Sequence, residues 1–399
     1  MQHRIVVLGA GYTGAFAAGR LARRLHPEDV AITLVNAEPD FVERVRMHQV
    51  AAGQDLKARP FSEMFAGTGV ELKLGKVTGV DVERKTVTVT DPSRPGGPAA
   101  ELAYDTLVYA LGSAWNTQGV PGTAEHAYEI AGRPGALRLR ERLAGLGAGQ
   151  PVVVVGGGLT GVEAATEIAE ARPDLDVALV ARGDLGDWLA PKGRAHLRKV
   201  VRDLGITVHE RTEVTAVEPD RITVAGGTAI PAAVTVWTTG FAVHPIAQAT
   251  DLRLGASGQI VVDETMRSVS HPDVYAIGDA ALAMGRGGKP LRMSCASGIP
   301  TAQRAADAIV ARLTGGKLPQ GAPGYFNQCI SLGRKQGLIQ YVTADDRAVP
   351  AALTGRLAAV YKELICKSAA WGVTNPTYGM PARRRRVTRE QAPAVKAVA

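Results

Sequence analysis

A chain of 399 residues is too long for one ordinary hydrophobic core, and its composition, 46% apolar and 21% charged, is that of a globular protein. The formal charge of +8 is concentrated: after residue 382 come five arginines and one lysine against one glutamate, leaving +3 on the residues before them. A nearly neutral body without zinc-finger spacing, RNP signature or basic heptads argues against nucleic-acid binding. Cys295, Cys329 and Cys366 are too few and too far apart for a disulfide framework or a metal cluster, and they suit a reducing cytoplasm. Residues 1–4 lead straight into a strand with no signal-peptide pattern. No apolar run reaches the roughly 18 residues of a membrane span.

Residues 4–8 (RIVVL) make a short apolar run of the kind a buried parallel strand presents. Gly9, Gly11, Tyr12, Thr13 and Gly14 follow in GAGYTG, and residues 15–25 (AFAAGRLARRL) read as a helix. In such a strand–loop–helix the first glycine permits the tight turn. The second lets backbone N–H groups approach a pyrophosphate, and the third removes a side chain where helix packs on strand. The helix N-terminus then meets the phosphates with unpaired donors and the positive end of its dipole. A strand over residues 30–35 closes the βαβ unit. An acidic residue normally follows there to hold the ribose; here Asn36 takes that place, with Glu38 two positions on as a substitute.

Residues 91–97 (DPSRPGG) read as a hairpin tip. Residues 104–113 (YDTLVYALGS) read as a strand delivering Ala110 and Gly112 to a turn, and residues 131–150 hold a connecting helix. The first motif then recurs. Residues 152–155 (VVVV) run into Gly156, Gly158, Thr160 and Gly161 of GGGLTG, followed by a helix over VEAATEIAEA and a strand over 177–180. The ribose position of this copy holds Ala181 and Arg182. A small residue beside a cation forgoes the bond to a 2′-hydroxyl and offers charge to a 2′-phosphate, which tilts the reading towards NADPH or use of both nicotinamide cofactors. Residues 233–241 (AVTVWTTGF) repeat the strand-to-glycine pattern, placing Thr239 and Gly240 beside the second nucleotide. Residues 271–280 (HPDVYAIGDA) end a strand on Gly278 and Asp279, and a helix over 299–313 follows.

This order of elements resembles the pyridine-nucleotide–disulfide-reductase superfamily of two-dinucleotide flavoproteins, over roughly residues 4–313. The resemblance implies an α/β fold with two Rossmann-like domains. An FAD-binding domain (1–115 and 255–325) receives an inserted NAD(P)H-binding domain (116–254), and residues 326–399 form a C-terminal α+β segment with a basic tail. It also implies FAD at the first glycine loop and NAD(P)H at the second, with Asp279 on the ribityl or phosphate end of FAD. Residues 39–53, where disulfide reductases carry their redox cysteines, contain no cysteine, which removes thiol–disulfide chemistry. The closer likeness is to the type II NADH dehydrogenase and apoptosis-inducing-factor-like branch. GGGLTGVE resembles the second-nucleotide motif of type II NADH dehydrogenases, which implies Glu163 near flavin and nicotinamide. Residues 301–307 (TAQRAAD) resemble their quinone-site motif at Ala302, Gln303 and Ala305, but carry Asp307 where a second Gln is usual.

The expectation is an FAD-dependent oxidoreductase that takes hydride from NAD(P)H and passes electrons to a quinone or similar small acceptor. Glu163 and Gln303 are the candidate catalytic residues, and there is no metal site. The N-terminus of the helix starting near residue 299 is expected to stabilise negative charge on the reduced flavin. A ferredoxin-type protein reductase and a non-enzymatic NAD(P)H-responsive flavoprotein sensor are the alternatives. Residues 326–342 read as two short strands. Leu353, Leu357, Val360, Tyr361, Leu364 and Ile365 then fall on one helical face, with Arg356, Lys362 and Lys367 off it. That stripe suits a peripheral membrane contact on the inner face, packing on the protein's own core, or a homodimer partner. Trp237 and Trp371 read as packing residues, and the basic tail from residue 383 reads as a solvated, disordered end.

Overall fold

The computed structural model describes residues 2–94 and 96–388. In chain order it begins with β1 (His3–Leu8), α1 (Tyr12–Arg24), β2 (Val30–Asn36), the short α2 (Met47–Ala51), β3 (Val70–Leu74) and β4 (Thr106–Tyr109). Next come β5 (Ala127–Tyr128), α3 (Arg133–Ala144), β6 (Pro151–Val155), α4 (Leu159–Ala171), β7 (Asp176–Val180), β8 (Thr207–His209) and β9 (Val234–Trp237). The chain then runs through β10 (Val274–Ala276), α5 (Cys295–Thr314), β11 (Asn327–Leu332), β12 (Gln336–Val342), β13 (Ala348–Thr354) and α6 (Arg356–Thr374).

Two all-parallel sheets organise these elements, one in the order β10-β4-β1-β2-β3 and the other in the order β8-β7-β6-β9-β5. The second is inserted in sequence between β4 and β10 of the first. The buried parts of both central strands, residues 5–8 of β1 and 152–155 of β6, are apolar because helices or further chain cover both sheet faces: Ile5, Val7, Leu8, Val152 and Val154 have no exposed surface. α1 packs along α5 through small residues, with Ala15, Ala17 and Ala18 on one side and Ala302, Ala305 and Ala306 on the other, all fully buried. Alanine lets the two backbones approach closely, and this is one reason why residues 301–307 are alanine-rich.

Several expectations need correction. The helix expected from residue 299 starts one turn earlier, at Cys295; Pro300 lies inside it, and proline's preference for a helical first turn made the boundary look late. The C-terminal segment has a third strand, β13, which pairs antiparallel with β12 and takes Leu353 out of the helical stripe. α6 is turned the other way from a core-packed helix. Leu357, Val360, Leu364 and Trp371 are exposed, while Ala358, Cys366, Ala370 and Val373 are buried. Trp371 is therefore no packing residue, whereas Trp237 is: it is buried and donates its indole N–H to the Asn116 carbonyl.

Residues 383–388 are not a free end. The Arg385 carbonyl accepts the His26 N–H, the Arg385 N–H donates to Arg24 and the Thr388 N–H donates to Leu313, so this segment lies across the C-terminal ends of α1 and α5. Backbone pairing holds it there, which charge composition does not reveal. The rest of the basic tail, 389–399, lies outside the described residues. Among the described residues no helix is long and apolar enough to cross a membrane.

Candidate functional site

The first glycine loop leaves β1 with Gly9 at φ +88°, and a Cβ there would meet the Ala110 carbonyl oxygen at 2.5 Å. A Cβ on Gly14 would lie 1.8 Å from the Gly9 oxygen, so α1 sits against the loop only because position 14 has no side chain. Gly11 is different: a Cβ there meets nothing within 4 Å. It is the N-cap of α1 and no side chain caps the helix, so the first-turn N–H groups face open space. That space suits a phosphate, which the N–H groups and helix dipole would hold. Asn36 serves the loop itself. Its Oδ1 accepts the Ala10 N–H at 2.9 Å and its Nδ2 donates to the Glu38 carbonyl at 2.8 Å, leaving the Glu38 carboxylate as the nearby acidic group.

The second loop repeats this geometry. Gly156 has φ +127°, and a Cβ there would meet Thr238 Oγ1 at 2.4 Å. A Cβ on Gly161 would lie 1.8 Å from the Gly156 oxygen, while Gly158, the uncapped N-cap of α4, faces open space. A Cβ on Gly157 would sit 2.5 Å from that of Ala181, so the small residue at the ribose position also has a packing reason. Arg182 is exposed and has no hydrogen-bond or ion-pair partner among the described residues. Thr160 is half-buried in the first turn of α4. Thr239 Oγ1 is buried without a partner, and Gly240 turns the chain at φ +72°.

Asp279 closes the first loop from the far side of the sheet. Its Oδ2 accepts the Ser113 hydroxyl at 2.6 Å and lies 3.6 Å from Arg44 Nη1; its Oδ1 has no partner among the described residues. Gly278, at φ +65°, abuts Thr13, and its N–H donates to Thr301 Oγ1. Gly112 turns the chain at φ +69° with Arg44 Nη1 close by, and Ala110 is buried beneath Gly9. Arg44 also donates to Ser113 Oγ at 3.1 Å, and its guanidinium stands 5.1 Å from the centre of the Phe241 ring. Burial lowers its pKa, with Asp279 acting in opposition. Tyr12 stands edge-on to Phe41 and has its hydroxyl buried without a partner; burial pushes its pKa up.

Glu163 lies in the second turn of α4 and is buried. Its Oε1 accepts the Ser331 N–H and Lys362 Nζ, both at 2.9 Å, and its Oε2 lies 4.0 Å from His48 Nδ1. Lys362 reaches inward from α6 and donates also to the Cys329 carbonyl. Burial pulls its pKa down, but Glu163 and the surrounding thiols outweigh this and raise it, so the ammonium form is held. Burial brings His48 down to about 4, keeping it neutral, and its Nε2 is buried without a partner. The three cysteines are free thiols; burial raises all of them, Cys329 to about 12, which makes them poor nucleophiles. Gln303 is half-buried on α5 with no side-chain hydrogen bond among the described residues. Asp307, where the quinone motif has Gln, is committed elsewhere: its carboxylate takes two bonds from Arg20, at 2.8 and 2.9 Å, and one from Arg24 at 3.1 Å.

Residues 3–308 match the family described as pyridine nucleotide-disulphide oxidoreductase. The chain belongs to that family. It is an FAD-using, NAD(P)H-dependent oxidoreductase. It is 30% identical over 324 residues to the NADH dehydrogenase-like protein Rv1812c of Mycobacterium tuberculosis, covering 74% of this chain and 77% of that one. It is 24% identical to the demethylphylloquinone reductase NdbB of Synechocystis, covering 90% and 92%. Its fold is similar to that of NDH2 from Plasmodium falciparum, solved in complex with NADH, with a TM-score of 0.76 at 14% identity over 96% of this chain and 99% of that one.

The residues present fit both cofactors. Each glycine loop ends in an uncapped helix with open space before it, and unpartnered buried or half-buried polar atoms at Asp279 Oδ1, Tyr12 Oη and Thr239 Oγ1 await a polar ligand. Sequence reasoning missed Arg44, Ser113, His48 and Lys362. Residues 39–53 have no periodicity that would single out Arg44 or His48. The stripe on α6 assigned Lys362 to the solvent side of the helix with Arg356 and Lys367, which are exposed, whereas Lys362 alone of the three reaches inward.

Proposed function

We propose that the first sheet with β10 and α5 is the FAD-binding domain (1–115 and 255–325), that the second sheet is the NAD(P)H-binding domain (116–254), and that the acceptor is a quinone. The observation that carries the quinone reading is the buried Glu163–Lys362 pair with neutral His48 beside it. It sits where α4 of the nucleotide unit meets the C-terminal segment, a place suited to proton transfer. The name of the Synechocystis relative supports the same acceptor class. When bound, FAD accepts hydride from the nicotinamide and releases the electrons as a pair.

The chain's own residues would then act as follows. The N–H groups at Gly11–Thr13 hold the FAD pyrophosphate, and Asp279, braced by Ser113 and Arg44, binds the ribityl or phosphate end. Gly158–Thr160 hold the NAD(P)H pyrophosphate, and Arg182 offers its unpaired charge to a 2′-phosphate. Thr239 and Gly240 face the nicotinamide half. Lys362, oriented by Glu163, would supply a fixed positive charge able to stabilise an anion formed on reduction. Quinone reduction draws one proton from water per NAD(P)H, and Glu163 would relay it. Gln303 contacts the quinone. The exposed stripe Leu357, Val360, Leu364 and Trp371 supports peripheral contact with a membrane, where an apolar quinone resides.

Steady-state assays with a panel of acceptors test this reading. Turnover should be fast with quinones. The paired replacement Lys362→Met with Glu163→Gln, which avoids stranding a buried charge, should lower it at least about tenfold while flavin reduction by NAD(P)H is retained. Slow turnover with every acceptor and a long-lived charge-transfer complex would replace the enzyme–quinone reading with a sensor.

A further inference from the structure

α1 and α5 end side by side, and the segment 380–386 crosses over them, sharing no residue with the Glu163–Lys362 cluster. Between them is a cavity of about 720 Å³ lined by Arg20, Arg24, Arg383, Arg384, Arg385 and Arg386, together with Thr314, Thr377, Met380, Pro381 and Ala382. Six arginines line one space, and among the described residues no Asp or Glu does. Half of that charge has a structural use. Arg20 and Arg24 share Asp307, Arg20 also donates to the Pro376 carbonyl, and Arg386 pairs with Glu28 and Asp29. Cations are also favoured beside the C-terminal ends of two helices.

The other half is left over. Arg383, Arg384 and Arg385 are consecutive and exposed, line the same cavity, and have no acidic partner and no side-chain hydrogen bond among the described residues. Their backbone is pinned by the Leu25–Arg385 bridge and by the bonds from His26 and to Arg24, so the three charges are anchored over one cavity. Like charges held at short range favour an anion that neutralises them. A planar guanidinium presents paired N–H donors that match phosphate oxygens. The volume lies within the range of ligand sites, but among the described residues the lining has no aromatic ring on which a nucleobase would stack.

We propose that this cavity binds a small anion carrying two or more phosphate groups. A free oligophosphate and the headgroup of a phospholipid with two phosphates share that chemistry.

The FAD-loaded, full-length protein is titrated calorimetrically with pyrophosphate and tripolyphosphate at roughly physiological ionic strength, where exposed charges are largely screened. In parallel it is sedimented with phosphatidylcholine vesicles that contain or lack cardiolipin, whose headgroup carries two phosphates. Two variants are compared: one carrying Arg383→Ala, Arg384→Ala and Arg385→Ala, and one losing the same charge elsewhere through Lys57→Ala, Lys192→Ala and Arg202→Ala. The single reversal Arg384→Glu, in an exposed side chain without a partner, guards against misfolding of the triple variant. The expected result is binding by the parent and the control, weakened about tenfold or more in the triple variant and in Arg384→Glu. Binding of the soluble phosphates assigns the site to free oligophosphate; binding of the acidic vesicles alone assigns it to lipid headgroups. No binding of either, or equal loss in the control and triple variants, overturns the proposal.

Discussion

Glu167 offers a prediction that can be worked out from the structure before any ligand is considered. It lies one turn beyond Glu163 on α4, is 1% exposed, accepts a bond from Gln54 Nε2 and has its Oε2 buried without a partner. Burial, with added repulsion from Glu170 and Glu163 and opposed by Arg334 and Gln54, raises its pKa from 4.5 to about 7. A carboxyl whose pKa is higher folded than unfolded binds more protons in the folded state. Stability is therefore greatest below about 4.5, falls as the pH rises, and levels off above about 7. The gap corresponds to about 3 kcal/mol at 1.36 kcal/mol per pH unit. Glu167→Gln keeps the shape and the Gln54 bond but removes the titration. Urea melts across this range should show the variant close to the parent near pH 4.5 and more stable by up to about 3 kcal/mol near pH 8. A parent and variant that keep a constant difference from pH 4.5 to 8 would refute the account of this site.

Gly158→Ala places a methyl in open space, so the melting temperature should hold. The pyrophosphate would lose its room, and the KM for NAD(P)H should rise roughly tenfold or more while FAD content stays at one per chain; an unchanged KM would count against the second loop as the nicotinamide site. Asp279→Ala removes the partner of Ser113 and Arg44, and the purified variant should lose most of its flavin absorbance; full retention speaks against its assignment. Arg182→Ala should erase a preference for NADPH of roughly tenfold or more in the rate of flavin reduction, and equal rates in the parent would remove Arg182 from that role.

The parts of the molecule readable in the sequence are the local ones. A run such as VVVV followed by three spaced glycines specifies strand, turn and helix within a dozen residues, and the collisions a Cβ would meet at Gly9, Gly14, Gly156 and Gly161 explain why. What joins distant segments was not readable. Arg44 meets Asp279 and Phe241, and Lys362 meets Glu163, only because the sheets bring them together. The α6 stripe was visible as periodicity, but periodicity does not say which side faces in. Here the inward side carries small residues and one paired lysine, and the leucines face out. Asn36 was picked for ribose by position, yet its amide is taken up by the loop backbone. The docking of 383–388 depends on main-chain bonds, which leave no trace in composition.

The central claim, that electrons pass from a nicotinamide at the second loop through FAD at the first to a quinone, is tested most directly by anaerobic rapid mixing. Flavin absorbance is followed first on adding NADPH or NADH and then on adding a quinone. The account predicts bleaching by the nicotinamide cofactor and full recovery of the oxidised spectrum on a single addition of quinone. Flavin that stays oxidised after the first mixing, or stays bleached after the second, would contradict it.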